Sequence, residues 1–197
     1  YAMKINFDMP EYASNQFNVS LSDYGYDAKI DPDISPCGEL SEENGTYNLI
    51  TDINTSGTCF TITGNNVTLD CQGHYINYSS SGGEGTYAVY SLANHVTVKN
   101  CKFFERNESN VNSYGVFLYN SINSTISNNS FITYSSGSVG ISLFASKNTI
   151  VENNIIKCYG DTSYGLYIDR DSNNSNFLSN VVSIFGILLP VAWLYAS

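Results

Sequence analysis

Apolar and polar residues alternate in short runs along this chain, and the runs return at a nearly fixed interval. "YAVYSLANHVTVKNCKFF" from Tyr87, "YGVFLYNSINSTISNNSFI" from Tyr114, "VGISLFASKNTIVENNIIK" from Val139 and "YGLYIDRDSNNSNFLSNVVS" from Tyr164 start 27, 25 and 25 residues apart. Each opens with a large residue and then a small one: Ala88, Gly115, Gly140, Gly165. Val89, Val116, Ile141 and Leu166 form the next apolar column, and Leu118, Leu143 and Ile168 the one after, with Ser91 as its exception. Period-two alternation predicts a strand with one buried face. A second strand follows each polar turn, and its last inward column reads Val98, Ile126, Val151, Leu178. A third short strand carries Phe103, Phe131 and Ile156.

Three short strands per repeat predict an all-β fold, a parallel β-solenoid of about five to six coils. Equivalent residues then stack at the inter-strand spacing of about 4.8 Å, so every column becomes a ladder. Apolar ladders fill the core, while an amide ladder can satisfy buried backbone groups at a corner. Asn100, Asn128, Asn153 and Asn180 supply that amide column. The earlier copy "CFTITGNNVTLDCQGHYIN" contributes Asp70 to it if one residue is deleted. A leucine-rich repeat lacks support because no segment offers a Leu-rich helical half. A β-sandwich would not need columns in register at this period.

"CGELSEENGTYNLITDINTSGTCFTITGNNVTLDCQGHYIN", "NHVTVKNC" and "NSTISNNSF" together resemble the secreted right-handed parallel β-helix repeat proteins common in archaea, within the pectate-lyase-like solenoid superfamily. The likeness covers residues 37 to 182. It implies the fold and an extracellular or cell-surface location. It leaves function open, because that fold hosts pectinolytic enzymes, adhesins, surface-layer proteins and filament proteins alike.

The chain has 197 residues, 42% of them hydrophobic, too apolar for disorder. Its formal net charge of −10 and only 8 Lys plus Arg exclude nucleic acid as a partner. The N-x-S/T motif occurs at Asn18, Asn44, Asn54, Asn66, Asn77, Asn107, Asn123, Asn128 and Asn173, which points to N-linked glycans on an extracellular chain. Asn128 is the doubtful member, since a side chain in the amide ladder cannot carry a sugar.

Of the 5 cysteines, Cys71 and Cys101 fall in one column of adjacent coils, close enough for a disulfide. Cys37 and Cys59 would staple the N-terminal edge, stabilising by about 3 kcal/mol in the chain-entropy model. Cys158 is left over, as a buried thiol or an inter-subunit link. No Cys/His spacing suits zinc.

Catalytic candidates are sparse. Glycoside hydrolysis needs clustered carboxylates, and the outward ones near the repeats are Glu84, Glu105, Glu108, Glu152, Asp161, Asp169 and Asp171. Asp169 and Asp171 in "DRDSNN" are weak candidates for Ca²⁺, although Asp in turns usually serves the turn itself. No other metal or cofactor is expected, and no catalytic residue is assigned. His74 and His95 lie near turns on neighbouring coils, where a paired metal site is conceivable and a half-packed histidine is the simpler reading. Tyr90, Phe117, Tyr119, Phe144 and Tyr167 should face outward, forming a stripe interrupted by Ser142 that suits sugar rings or protein packing.

The ends depart from the repeat. Residues 1–36 read as an extension or cap, residues 37–182 as the solenoid, and residues 183–197, "SIFGILLPVAWLYAS", as an apolar strand or incomplete coil. A membrane span needs about 20 apolar residues without such a proline interruption. Ala192 fits the small column after Gly165, with Trp193 and Tyr195 following Leu166 and Ile168. Ile184, Phe185, Leu188, Leu189, Trp193 and Tyr195 are therefore assigned to a docking end, and the chain to a self-associating extracellular structural protein. The alternatives are a carbohydrate-binding adhesive domain and a polysaccharide lyase or hydrolase.

Overall fold

The computed structural model describes residues 33–34, 36–80, 85–105, 112–169, 171–186 and 192–194. Strands are the only regular elements they form. A two-residue strand β1 (Asp33–Ile34) leads into the first turn, β2 (Gly38–Leu40), β3 (Thr46–Leu49) and β4 (Ile53–Asn54). The second turn is β5 (Phe60–Ile62), β6 (Thr68–Asp70), β7 (Tyr75–Tyr78) and the third β8 (Tyr87–Ser91), β9 (Thr97–Lys99), β10 (Lys102–Glu105). Then come β11 (Tyr114–Tyr119), β12 (Thr125–Ser127), β13 (Ser130–Thr133), followed by β14 (Val139–Phe144), β15 (Ile150–Glu152), β16 (Ile155–Cys158). The last complete turn is β17 (Tyr164–Ile168), β18 (Asn176–Leu178), β19 (Val181–Ile184), and β20 (Ala192–Leu194) begins another.

Every pairing is parallel and joins equivalent strands of consecutive turns, giving three sheets. Sheet 1 runs β2-β5-β8-β11-β14-β17-β20, sheet 2 β1-β3-β6-β9-β12-β15-β18, and sheet 3 β4-β7-β10-β13-β16-β19. The all-β parallel solenoid is thus established. Parallel strands buried on one face and joined by short corners leave a single apolar column system inside. Val89, Val116, Ile141 and Leu166 are in register in sheet 1, and Phe103, Phe131 and Ile156 in sheet 3, all buried. The Phe103 and Phe131 rings stack at 4.8 Å. Each such side chain contributes about 1.5–3 kcal/mol by burial. Ser91, the polar exception, is satisfied locally: its Oγ donates to the Ile62 carbonyl and accepts from the Ala93 N–H.

The small column has a steric cause. A Cβ on Gly115 would lie 2.4 Å from the Gly140 carbonyl oxygen, and one on Gly140 would lie 2.6 Å from Ile156 Cγ2. These contacts lock the corner between sheets 3 and 1 against side chains.

Several sequence expectations shift. β1 precedes residue 37 yet pairs with β3, so the solenoid extends into the segment assigned to the extension. The second-strand column ends on Phe177, which pairs with Val151, while Leu178 pairs with Glu152. Both residues are apolar, so alternation alone does not choose between them. In β20, Ala192 pairs with Leu166, Trp193 with Tyr167 and Leu194 with Ile168, one position away from the expected register. A one-residue slip exchanges the two faces of a strand, so Trp193 occupies the position of Tyr167 and not that of Leu166.

Candidate functional site

The corners carry most of the polar chemistry. Between sheets 2 and 3, the chain enters the left-handed region at Asn100, Asn128 and Asn153 (φ 57°, 57° and 55°), the conformation that asparagine tolerates better than most residues. Asn128 and Asn153 are exposed and Asn100 is partly exposed. The assignment of these three to a buried ladder is therefore corrected. The left-handed residue takes up the corner, and the inward position passes to the residue after it.

The inward ladder is Asn129, Asn154 and Asn180, the first two buried and the third partly buried. Each Nδ2 donates to a backbone carbonyl one coil back: Asn129 to Val98, Asn154 to Ile126, Asn180 to Val151. Each Oδ1 accepts from the coil before it. Asn154 Oδ1 takes both Asn129 N–H groups, backbone and side chain, at 3.0 and 3.1 Å, and Asn180 Oδ1 does the same for Asn154. Asn180 alone of the expected column lies in it. At the other end, Asn129 Oδ1 accepts from the Cys101 N–H. Below that the column becomes covalent: Cys71 and Cys101 form a disulfide with Cα atoms 4.7 Å apart. Cys37 and Cys59 form the second, Cα atoms 4.5 Å apart, at the first turn. The doublets "NN" at 128–129 and 153–154 were the available signal for the ladder.

Asp70 sits in register with Lys99, outside the ladder. Partial burial pushes its carboxyl up, but hydrogen bonds from Asn100 Nδ2, the Gln72 N–H and Lys99 outweigh that and hold it below the usual range. A groove of about 630 Å³ runs along this corner past Gln72, Lys102, Asn128 and Ile155.

The other two corners use serine. Ser121, Ser146 and Ser172 stack, the hydroxyl of each donating to a main-chain carbonyl and that of Ser146 and Ser172 accepting the N–H of the serine one coil before. At the third corner Glu105, which the sequence suggested was outward, is fully buried at an inward position; its Oε2 accepts the N–H groups of Tyr134 and Ser135. Cys158 is buried and free of any disulfide. Burial pushes its thiol up, partly offset by the Thr133 hydroxyl. A thiol so enclosed cannot reach another subunit.

The carboxylates do not gather. Glu152 is half-buried and Asp161 exposed; Glu84 and Glu108 lie outside the described residues. Asp169 is half-buried, its carbonyl accepting from Ser172, and Asp171 is an exposed left-handed turn residue at φ 69°. Among the described residues no three His, Cys, Asp or Glu side chains converge as metal ligands. The two histidines occupy different corners. His74 Nδ1 is 3.0 Å from Asp52 Oδ1, and the Tyr75 N–H together with that histidine holds Asp52 below the usual range. His95 stands exposed in a column of left-handed asparagines.

The sequon asparagines are on the surface wherever they are described. Asn44, Asn54, Asn66, Asn123, Asn128 and Asn173 are exposed and Asn77 partly so, while Asn18 and Asn107 lie outside the described residues. Asn128 therefore has no geometric bar to carrying a sugar.

On the outer face of sheet 1, Tyr87 stacks on Tyr114 at 5.3 Å and Tyr90 lies 5.8 Å from Phe117. Val139 and Ser142 interrupt this face before Tyr164 and Tyr167 resume it, leaving a depression of about 280 Å³ over Val139. A second aromatic ladder climbs the third corner. Tyr134 stacks on Tyr159 at 4.9 Å, and Tyr159 on Phe185 at 4.7 Å. Exposure rises along it, from 39% at Tyr159 to 59% at Phe185. Beside Phe185 the last turn also exposes Phe177, Leu178 and Val181. Ile184, assigned to docking, instead packs against the core from β19. Leu188, Leu189 and Tyr195 lie outside the described residues. No helix among the described residues is long and apolar enough to cross a membrane.

Compared with known proteins, residues 40–189 match the family described as the right-handed β-helix region. No curated protein and no solved structure matches the chain.

Proposed function

We propose, starting from a chain that belongs to the right-handed β-helix family, that this protein is a secreted, N-glycosylated structural subunit without catalytic activity. Its copies join end to end into a filament or surface layer. The observation that carries this reading is the last turn. β18 and β19 are edge strands among the described residues, and Phe177, Leu178, Val181 and Phe185 stand exposed along them. Unpaired parallel edges beside apolar side chains favour strand addition. A second copy is the fitting occupant because a solenoid's first turn presents the same three sheets, in the same columns, to the last turn of its neighbour. Such a contact is heterologous and propagates as a helical fibre unless it closes into a ring. Two disulfides and surface sequons suit an oxidising compartment outside the cell. Electron micrographs of the purified protein at rising concentration are expected to show rods that lengthen. Single particles of one coil stack at every concentration would overturn the reading.

The adhesive reading is favoured by one feature, the tyrosine-walled depression over Val139 on sheet 1. Tyrosine faces stack on the C–H faces of sugar rings, and the rim carries Asn112 and Thr162 for hydrogen bonds. If that reading holds, soluble oligosaccharides change tyrosine fluorescence saturably, and Tyr164→Ala abolishes the change. A flat titration sinks it.

A further inference from the structure

Four of the surface sequons are stacked in pairs. Asn66 lies directly over Asn44 at one corner, and Asn77 over Asn54 in sheet 3. Within each pair the side chains are joined and the bond has a direction. Asn66 Nδ2 donates to Asn44 Oδ1 at 2.8 Å, and Asn77 Nδ2 donates to Asn54 Oδ1. Asn44 and Asn54 use only their oxygens; among the described residues their own Nδ2 groups donate no bond.

N-glycosylation is chemistry at Nδ2. The amide nitrogen attacks the anomeric carbon of a lipid-phosphate-linked oligosaccharide, and a C–N bond forms. The C–O bond to the lipid phosphate breaks, the phosphate leaves as the anion, and a base of the transferase takes one amide proton. The product keeps its Oδ1 as an acceptor. Asn44 and Asn54 can therefore carry a sugar and still receive the bond from the asparagine above. Asn66 and Asn77 would keep one N–H, but the sugar would sit on the very nitrogen that is held against the Oδ1 of the neighbouring asparagine. Two saccharides rooted one strand spacing apart, about 4.8 Å, would also compete for one volume.

Neighbours on the other side point the same way. Asn66 is flanked in its column by Asn44 and His95, and Asn77 in sheet 3 by Asn54 and Phe104. β4, which carries Asn54, is the edge strand of sheet 3 among the described residues. The motif hydroxyls differ as well: Ser56, two residues after Asn54, is exposed, whereas Ser79, two residues after Asn77, is fully buried.

We infer that each stack is glycosylated at one member only, Asn44 in the first and Asn54 in the second, with Asn66 and Asn77 left bare as amide donors. This rests on the reading of the chain as a secreted glycoprotein. The test is glycopeptide mapping by electron-transfer fragmentation, with intact mass, on protein secreted from a glycosylating host. Sugar is expected on Asn44 and Asn54 and absent from Asn66 and Asn77. Thr46→Ala should lower the intact mass by one glycan, whereas Thr68→Ala should remove none. Sugar on both members of a stack, on Asn66 or Asn77 alone, or on neither member while Asn123 or Asn173 is occupied would overturn the inference and leave the glycoprotein reading standing. A chain bare at every sequon would overturn both.

Discussion

Replacing Asn154 with alanine is expected to destabilise the fold by about 3–5 kcal/mol, whereas glycine at the adjacent Asn153 should change stability by less than about 0.5 kcal/mol. Asn154 is fully buried and bonds three groups at once: the backbone and side-chain N–H groups of Asn129 and the Ile126 carbonyl. A buried polar group stripped of its partner costs about 1–3 kcal/mol, and alanine strips several at once. Asn153 has a different task. It turns the corner in the left-handed region with its side chain in solvent, and glycine adopts that conformation without strain. Urea titration of the two variants checks the contrast. Equal losses would mean that the ladder and the corner have been exchanged.

Removing the Cys71–Cys101 disulfide, by reduction or as the double alanine variant, is expected to cost about 3.5 kcal/mol. That follows from closing a loop of 30 residues in the chain-entropy model. At about 2–4 °C per kcal/mol for a chain of this size, the melting temperature falls by roughly 10 °C. The position gives this bond more than its entropy. It stands in the same column as the amide ladder and begins where the ladder stops, so it is the covalent link at that corner between the second and third turns, beside the Asp70–Asn100 and Asp70–Lys99 contacts. Cys37–Cys59 closes 22 residues at the first turn, and its loss should release that turn while the rest persists, because solenoid stability is built from neighbour contacts. Thermal melts with and without reductant, with amide exchange by segment, separate the two outcomes. An unchanged melting temperature in the Cys71 and Cys101 double variant would contradict the account.

The fold was legible because a solenoid writes its core into the sequence as columns. Val89, Val116, Ile141 and Leu166 needed only alternation and a period; the Cys71–Cys101 pair followed from the same register, and Cys37–Cys59 from its place at the N-terminal edge. What escaped lies where alternation stops. At a corner one residue flips into the left-handed region and the inward phase restarts after it. In "NNS" at 128–130, either asparagine could then be the buried one. Where two apolar residues adjoin, as Phe177 and Leu178 do, the pattern permits both phases. Glu105 was misread because a carboxylate at an inward strand position is rare unless backbone N–H groups meet it, and Tyr134 and Ser135 do so from the next coil. The sequons were visible at once, but their pairing was not. Asn66 over Asn44 and Asn77 over Asn54 follow from coil lengths of 22 and 23 residues in the first turns, shorter than the later repeat.

The central claim is association through the last turn, and sedimentation velocity tests it most directly. The wild-type chain is compared over a wide concentration range with a Leu178→Lys, Val181→Lys double variant. Both positions are more than half exposed, at 52% and 57%, so the substitutions should spare the fold. The account predicts that the weight-average mass of the wild type climbs with concentration, while the variant stays at monomer mass with an unchanged melting temperature. A wild type that remains monomeric throughout, or a variant that associates as strongly as the wild type, would contradict it.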